Sequence, residues 1–236
     1  VSHPASILGT PAEVKAQAAD IARQALRPDG HVALLPAEFW RSQLNATRAF
    51  AFITGRYGFP TVESIAWLRE QIAGRKAIEI AAGAGDFAFH LGIPATDSKI
   101  QDTILFALLA MAGGRPPAIY GRNVEQLEAL EAVATYSPQV VIASWVTQWF
   151  DPAEMDDGPA QASIYGVKEL ELLAAPSVET YIVIGNMGSH GEKLARRLPH
   201  EVLQGDHLGL VSRSARPQDN CIFVWHKNKE AEHDHL

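Results

Sequence analysis

Glu79 and Asp97 bracket a run of small residues, Ala81-Ala82-Gly83-Ala84-Gly85, and this is the residue chemistry of a nucleotide site. A backbone without side-chain bulk lets a ligand come close. Ala77, Ile78 and Ile80 read as an apolar strand entering the run, and a helix starting near Asp86 would aim its free N–H groups at whatever sits over the loop. Asp97, closing a second strand over 93–96, is placed to accept ribose hydroxyls. Gly83-Ala84-Gly85-Asp86-Phe87-Ala88 also fits the loose dinucleotide fingerprint with Ala in last place. A pyrophosphate there would lie near Glu79, four residues before Gly83, and like charges repel. Glu79 suits a cation instead.

A second polar cluster, Gly185-Asn186-Met187-Gly188-Ser189-His190-Gly191-Glu192-Lys193, follows a predicted strand over 180–184. Ligands of open α/β sheets bind beyond the carboxyl ends of the strands. His190 is there a candidate general base on a hydroxyl or amine, since an unperturbed imidazole titrates near neutrality; a solvated loop side chain is the other reading. His226, His233 and His235 lie in or after the last strand with Glu232 and Asp234, and read as a flexible charged end, because metal ligands must be held rigidly. Asp151, Glu154, Asp156 and Asp157 suit either a cation or a plain solvated loop.

These groups need a scaffold, and the chain alternates strand and helix from about residue 75 onward. The predicted order is a strand over 77–80, a strand over 93–96, a helix over 98–112, a short strand over 118–120, a helix over 125–136 and a strand over 139–144. Val140-Val141-Ile142-Ala143 is the continuous apolar run of an interior parallel strand. A helix through 168–173 and the strand over 180–184 follow, then two β-rich runs, 208–212 and 221–226, read as a closing hairpin. Residues 1–74 are helical in pattern: a run over 11–26, a second over 36–53, and a third over 61–72 with Thr61 as N-cap. Between the last two lies the breaker-rich Gly55-Arg56-Tyr57-Gly58-Phe59-Pro60. The fold class is α/β, a doubly wound seven-stranded sheet, mostly parallel, with a C-terminal antiparallel hairpin. Residues 1–74 form a helical segment or lid, 75–228 the nucleotide-binding domain, and 229–236 a flexible tail.

At 236 residues, nearly half of them hydrophobic, the chain can bury one substantial core. A formal charge of −7 with no run of basic residues argues against a broad nucleic-acid surface. The lone Cys221 forms no internal disulfide, and no apolar stretch approaches the ~20 residues that span a bilayer. The expectation is a cytoplasmic protein with a small-molecule substrate and no nucleic-acid or membrane partner. Its oligomeric state is open, a homodimer included.

The pattern of strand, acid, small-residue loop and second acid resembles motif I of the class I S-adenosylmethionine-dependent methyltransferases, and five alternating units followed by a hairpin resemble that family's layout over about residues 70 to 228. The resemblance implies S-adenosylmethionine as cofactor. Glu79 matches the acid that orients the methionine end, Gly83 and Gly85 the close-approach glycines, and Asp97 the ribose acid. Ala81 stands where the family usually has the first glycine of the loop. Asn123 and Val124 fall where the family frames the adenine, and Ser144-Trp145-Val146 where the methionine moiety and the incoming nucleophile meet. Each has a structural alternative: Asp97 as a helix cap, Asn123 as a turn residue, Trp145 as core. The fourth strand lacks the Asp/Asn-Pro-Pro-aromatic element of enzymes that methylate base amines.

The reading implied is a methyltransferase acting on a small molecule or free side chain. The alternatives are a protein of the same fold that binds S-adenosylmethionine or an adenosine compound without methyl transfer, and a nicotinamide-dependent oxidoreductase.

Overall fold

The computed structural model describes residues 10–104, 106, 108, 118–149, 166–191 and 193–227. The chain enters through α1 (Pro11–Ala25), whose start is fixed by a capping box between Thr10 and Glu13. The apolar run that follows divides into α2 (Ala37–Arg41) and α3 (Leu44–Ile53). The single helix predicted over 36–53 breaks because Ser42 Oγ and Gln43 Nε2 both donate to the Phe39 carbonyl, at 3.1 and 3.0 Å, where a continuing helix would place a backbone N–H. A short strand, β1 (Gly58–Phe59), leads to α4 (Val62–Ile72), which begins at the predicted Thr61 cap. Trp40, Phe50 and Phe59 stack in the core of this region, with Trp40 and Phe59 ring centroids 4.4 Å apart.

The main sheet is built from β2 (Ala77–Ile80), β3 (Ala95–Asp97), β4 (Val124–Gln126), β5 (Val140–Ser144), β6 (Thr180–Asn186), β7 (Glu201–Leu203) and β9 (Asn220–His226). Its order is β4-β3-β2-β5-β6-β9-β7. The first five strands in that order pair in parallel, while β9 runs antiparallel to both β6 and β7. Side chains alternate between faces along each strand. Ile78, Ile80, Val141, Ala143, Tyr181 and Val183 pack with α6 (Ala129–Tyr136) and α7 (Glu169–Ala174) on one side. Ala77, Val140, Ile142, Ile182 and Ile184 pack with α4 and α5 (Asp86–Leu91) on the other. Helices on both faces make the sheet doubly wound, as the alternation predicts.

Two predicted elements move. The third strand is Val124–Gln126, in register with Ala95–Asp97, and not residues 118–120. The Ala118 N–H instead donates to Gln101 Oε1 and the Tyr120 hydroxyl accepts the Gln101 N–H, so this β-prone stretch serves the rim of the site. The closing hairpin also has a different first arm. β7 pairs with β9, while β8 (Val211–Ser212) leaves the main sheet and pairs with β1. Gly209 makes that departure: at φ +62° it has no Cβ to strike Thr61 and Glu63, and its carbonyl accepts the Thr61 hydroxyl at 3.0 Å. The predicted residues 151–159 and the tail from 228 lie outside the described residues, as do 105, 107 and 109–112 of the predicted helix over 98–112, whose described start is a 3-10 turn at Ile100–Asp102. Among the described residues, no helix is long and apolar enough to cross a membrane.

Candidate functional site

The loop after β2 folds through left-handed backbone at Ala81 (φ +48°), Gly83 (φ +53°) and Gly85 (φ +69°). Glycine adopts that conformation without cost, whereas a residue with a Cβ loses about 1–2 kcal/mol. Ala81 therefore carries strain where the resembled family has glycine. The Gly83 N–H donates to Asp97 Oδ2 at 2.9 Å, and the Lys99 N–H donates to Asp97 Oδ1 at 2.8 Å, so Asp97 ties the loop to the end of β3. Glu79, 1% exposed, accepts the Ala88 N–H at 2.7 Å. That amide belongs to the first turn of α5, so Glu79 engages part of the helix end expected to face a ligand.

A cavity of about 370 Å³ opens over this loop at the carboxyl ends of β2, β3 and β5. Its size falls in the range of small-molecule sites, ~300–1,000 Å³. The strand order reverses here: the chain, having run β2-β3-β4 to one edge, returns to place β5 on the other side of β2. Of the site residues expected from the sequence, Glu79, Ala81, Gly83, Asp97, Ser144 and Trp145 line the cavity. Burial pushes the Glu79 carboxyl up to about 8, against the pull of the Ala88 N–H and with added repulsion from Asp86 and Asp97. Burial likewise raises Asp97, opposed by its two backbone donors. Asp86 is different. Burial works against its charge, but His31, Arg56 and the Val32 N–H outweigh this and hold it below the usual carboxylate range.

Four predicted residues do not reach the cavity. Gly85 faces the sheet: a Cβ there would lie 2.7 Å from Val124 Cγ2, so its missing side chain makes room for a core residue. Val124 is buried with Ala88 and Ala95, and Asn123 is exposed in the turn before β4. Because β4 starts later than predicted, the positions beyond its end are Leu127, Glu128 and Ala129, and these do line the cavity. His190, in α8 (Met187–His190), is 5% exposed and packs edge-on against Trp145 with ring centroids 5.2 Å apart. Its Nδ1 accepts the Asn186 N–H at 3.0 Å, and burial, reinforced by the charge of Lys193, holds it down at about 4.

Residues from before the sheet complete the site. Arg56, Tyr57 and Gly58 line the cavity beside Trp145. Arg56 Nε donates to Asp86 Oδ2 at 2.7 Å, and His31 Nδ1 lies 3.1 Å from Asp86 Oδ1, with all three side chains about 5% exposed. The signal available in the sequence was the breaker-rich loop at 55–60, which marks a surface turn but not its partner. Among the described residues no cluster of His, Cys, Asp and Glu is arranged to hold a metal ion.

Five parallel strands end in an antiparallel strand inserted between β6 and β7, and the cavity sits at the order reversal. The fold is a doubly wound α/β sheet, parallel but for one inserted strand near its edge. No protein-family model matches the chain, and no curated protein matches it by sequence. Among solved structures, the chain is similar to a hypothetical protein of Thermus thermophilus, with TM-score 0.33 and 15% identity over 69% of this chain and 81% of that one. A candidate methyltransferase complexed with S-adenosylhomocysteine aligns with TM-score 0.34 and 10% identity over 68% of this chain. An S-adenosylmethionine-dependent methyltransferase from Agrobacterium tumefaciens aligns with TM-score 0.35 and 9% identity over 70% of this chain. The alignments span 48% and 61% of the length of these last two proteins.

Proposed function

We propose that the cavity binds S-adenosylmethionine and that the protein transfers its methyl group to a small molecule. The observation that carries this reading is that Glu79 and Asp97, eighteen residues apart in sequence, line one cavity across a small-residue loop. A Cβ at Gly83 would meet nothing within 4 Å, so the loop leaves open space for a ligand. Asp97 accepts two backbone N–H bonds, and a carboxylate has ~four acceptor positions, which leaves capacity for ribose hydroxyls. Glu79, kept protonated near neutrality by burial, gains its charge when a positive methionine end displaces the proton. When bound, the cofactor supplies an electrophilic methyl group. The chain's own part is to fix the ligand through Asp97 and the loop, to hold a countercharge at Glu79, and to bring a second molecule to the Ser144–Trp145 end. A cytoplasmic location fits a described chain with a single cysteine, Cys221, and so no internal disulfide.

Calorimetry with S-adenosylmethionine, S-adenosylhomocysteine and NAD tests the cofactor class. The expected ranking puts both adenosyl compounds well ahead of NAD, and the reverse order sinks the proposal. Asp97→Ala should weaken S-adenosylhomocysteine by about 1.5–3 kcal/mol, the range for hydrogen bonds to a charged group. Unchanged affinity in a folded variant would remove Asp97 from the ribose role. An acceptor screen with the loaded protein then tests methyl transfer itself.

A further inference from the structure

The β5 end of the cavity is built differently from the loop end. Trp145 sits at φ +58°, a left-handed conformation that bulky residues rarely adopt, and its N–H donates to the Ile184 carbonyl at 2.8 Å. Held this way, the indole borders the cavity next to Ser144 and Thr147. Tyr57 extends the aromatic surface, with ring centroids 6.0 Å apart and planes tilted by 33°. Gly58 permits the packing: a Cβ there would lie 3.2 Å from two atoms of the indole. His190 backs the indole on its edge. Strain at a cavity wall, supported from two directions, marks a surface shaped for a ligand.

The two faces of the Tyr57 ring are not equivalent. The Arg213 guanidinium carbon lies 3.4 Å from the Tyr57 ring centroid, so a cation already occupies that ring. Arg56, ion-paired to Asp86, lines the same end. A cation thus covers one face of the Tyr57 ring, and an aryl ligand would stack on the indole beside it. We propose that Trp145 and Tyr57 form a platform for the second ligand, and that this ligand is a flat aryl compound. The proposal rests on the reading of the loop end as the adenosyl site.

The test uses the full chain loaded with S-adenosylhomocysteine, and catechol, salicylate and cyclohexylamine as probes, with affinities read by saturation-transfer NMR titration. Catechol and salicylate should bind more tightly than cyclohexylamine. Trp145→Gly keeps a backbone-compatible residue at φ +58° and should weaken the aryl probes about two- to tenfold, the range for a lost aromatic contact. Tyr57→Ala, at a side chain 37% exposed, is a second variant that leaves the core intact and should weaken them in the same direction. If S-adenosylhomocysteine binds but cyclohexylamine matches the aryl probes, or both variants leave aryl affinity unchanged, the platform is overturned and the cofactor reading stands. Competition between catechol and S-adenosylhomocysteine would put the adenine on the platform and also overturn it. If the aryl probes bind the unloaded protein and no adenosyl compound binds at all, the platform stands and the cofactor reading falls.

Discussion

A buried carboxyl that titrates near pH 8 makes cation binding depend on pH. Glu79 has an ordinary value of 4.5 and is raised to about 8 in the folded chain, so folding favours its protonated form. The stability this represents is complete below about pH 4.5 and is lost as pH rises through about 8. A positive ligand beside Glu79 reverses the preference and displaces the proton. The affinity for S-adenosylmethionine should therefore rise between pH 6 and pH 9, by up to about tenfold per pH unit below the transition. Glu79→Gln, which can still accept the Ala88 N–H, should flatten the profile; a parent that is already flat would remove Glu79 from the cation site. His190 has the opposite sign. Its value falls from 6.5 to about 4, so its contribution is present above 6.5 and is lost as pH falls through about 4. The sequence suggests a rate rising with a histidine titration near neutrality, but the fold keeps this imidazole neutral there. His190→Ala should cost about 1–3 kcal/mol in urea unfolding, because the buried Asn186 N–H loses its acceptor.

At the scale of elements, the glycine loop is held by neighbours as much as by its own sequence. The Gly121 N–H donates to the Gly83 carbonyl at 3.2 Å, and a Cβ on Gly121 would lie 2.2 Å from the Ala84 carbonyl oxygen. Gly121→Ala must move the loop, and S-adenosylhomocysteine affinity should fall more than about tenfold by calorimetry, as a displaced backbone loses its close approach. Ala81→Gly should act in the other direction on stability. Relief of left-handed strain, about 1–2 kcal/mol, exceeds the roughly 0.4–1 kcal/mol that glycine adds to the unfolded chain's entropy. Thermal unfolding should show a small stabilisation, and a loss would mean that the Ala81 methyl makes packing contacts worth more than the strain.

For the whole molecule, the segment before the sheet is joined to it through a buried ion pair as well as through the apolar packing of α4. Asp86, the first residue of α5, joins the loop to Arg56 and His31 from the N-terminal region, and β1 pairs with β8. Removing one member of a buried ion pair typically costs about 3–5 kcal/mol, since the other charge stays buried alone. Arg56→Ala should produce a loss of that order in chemical unfolding. It should also raise the Glu79 titration further, because an uncompensated Asp86 adds repulsion beside it. If the variant unfolds in two separated transitions, the N-terminal region is a unit of its own; a single shifted transition shows one cooperative body.

The sequence by itself determined the elements whose signals are local. Thr10 and Thr61 cap their helices where capping chemistry places them, and Val140-Val141-Ile142-Ala143 forms a buried parallel strand because it has no polar face to expose. The acid, small-residue loop and second acid were legible for the same reason, since turn chemistry and spacing are written within twenty residues. Tertiary structure decided the rest. Residues 118–120 have strand propensity, but pairing with β3 went to Val124–Gln126, and that shift took Asn123 and Val124 away from the cavity. His190 lies in a glycine-rich, polar stretch that reads as solvent-facing, yet its contacts with Trp145 and Asn186 bury it. Arg56 and Asp86 are thirty residues apart, and nothing local pairs them. Pairing, burial and pKa all depend on which distant groups fold together, and that information belongs to the packed chain rather than to any window of it.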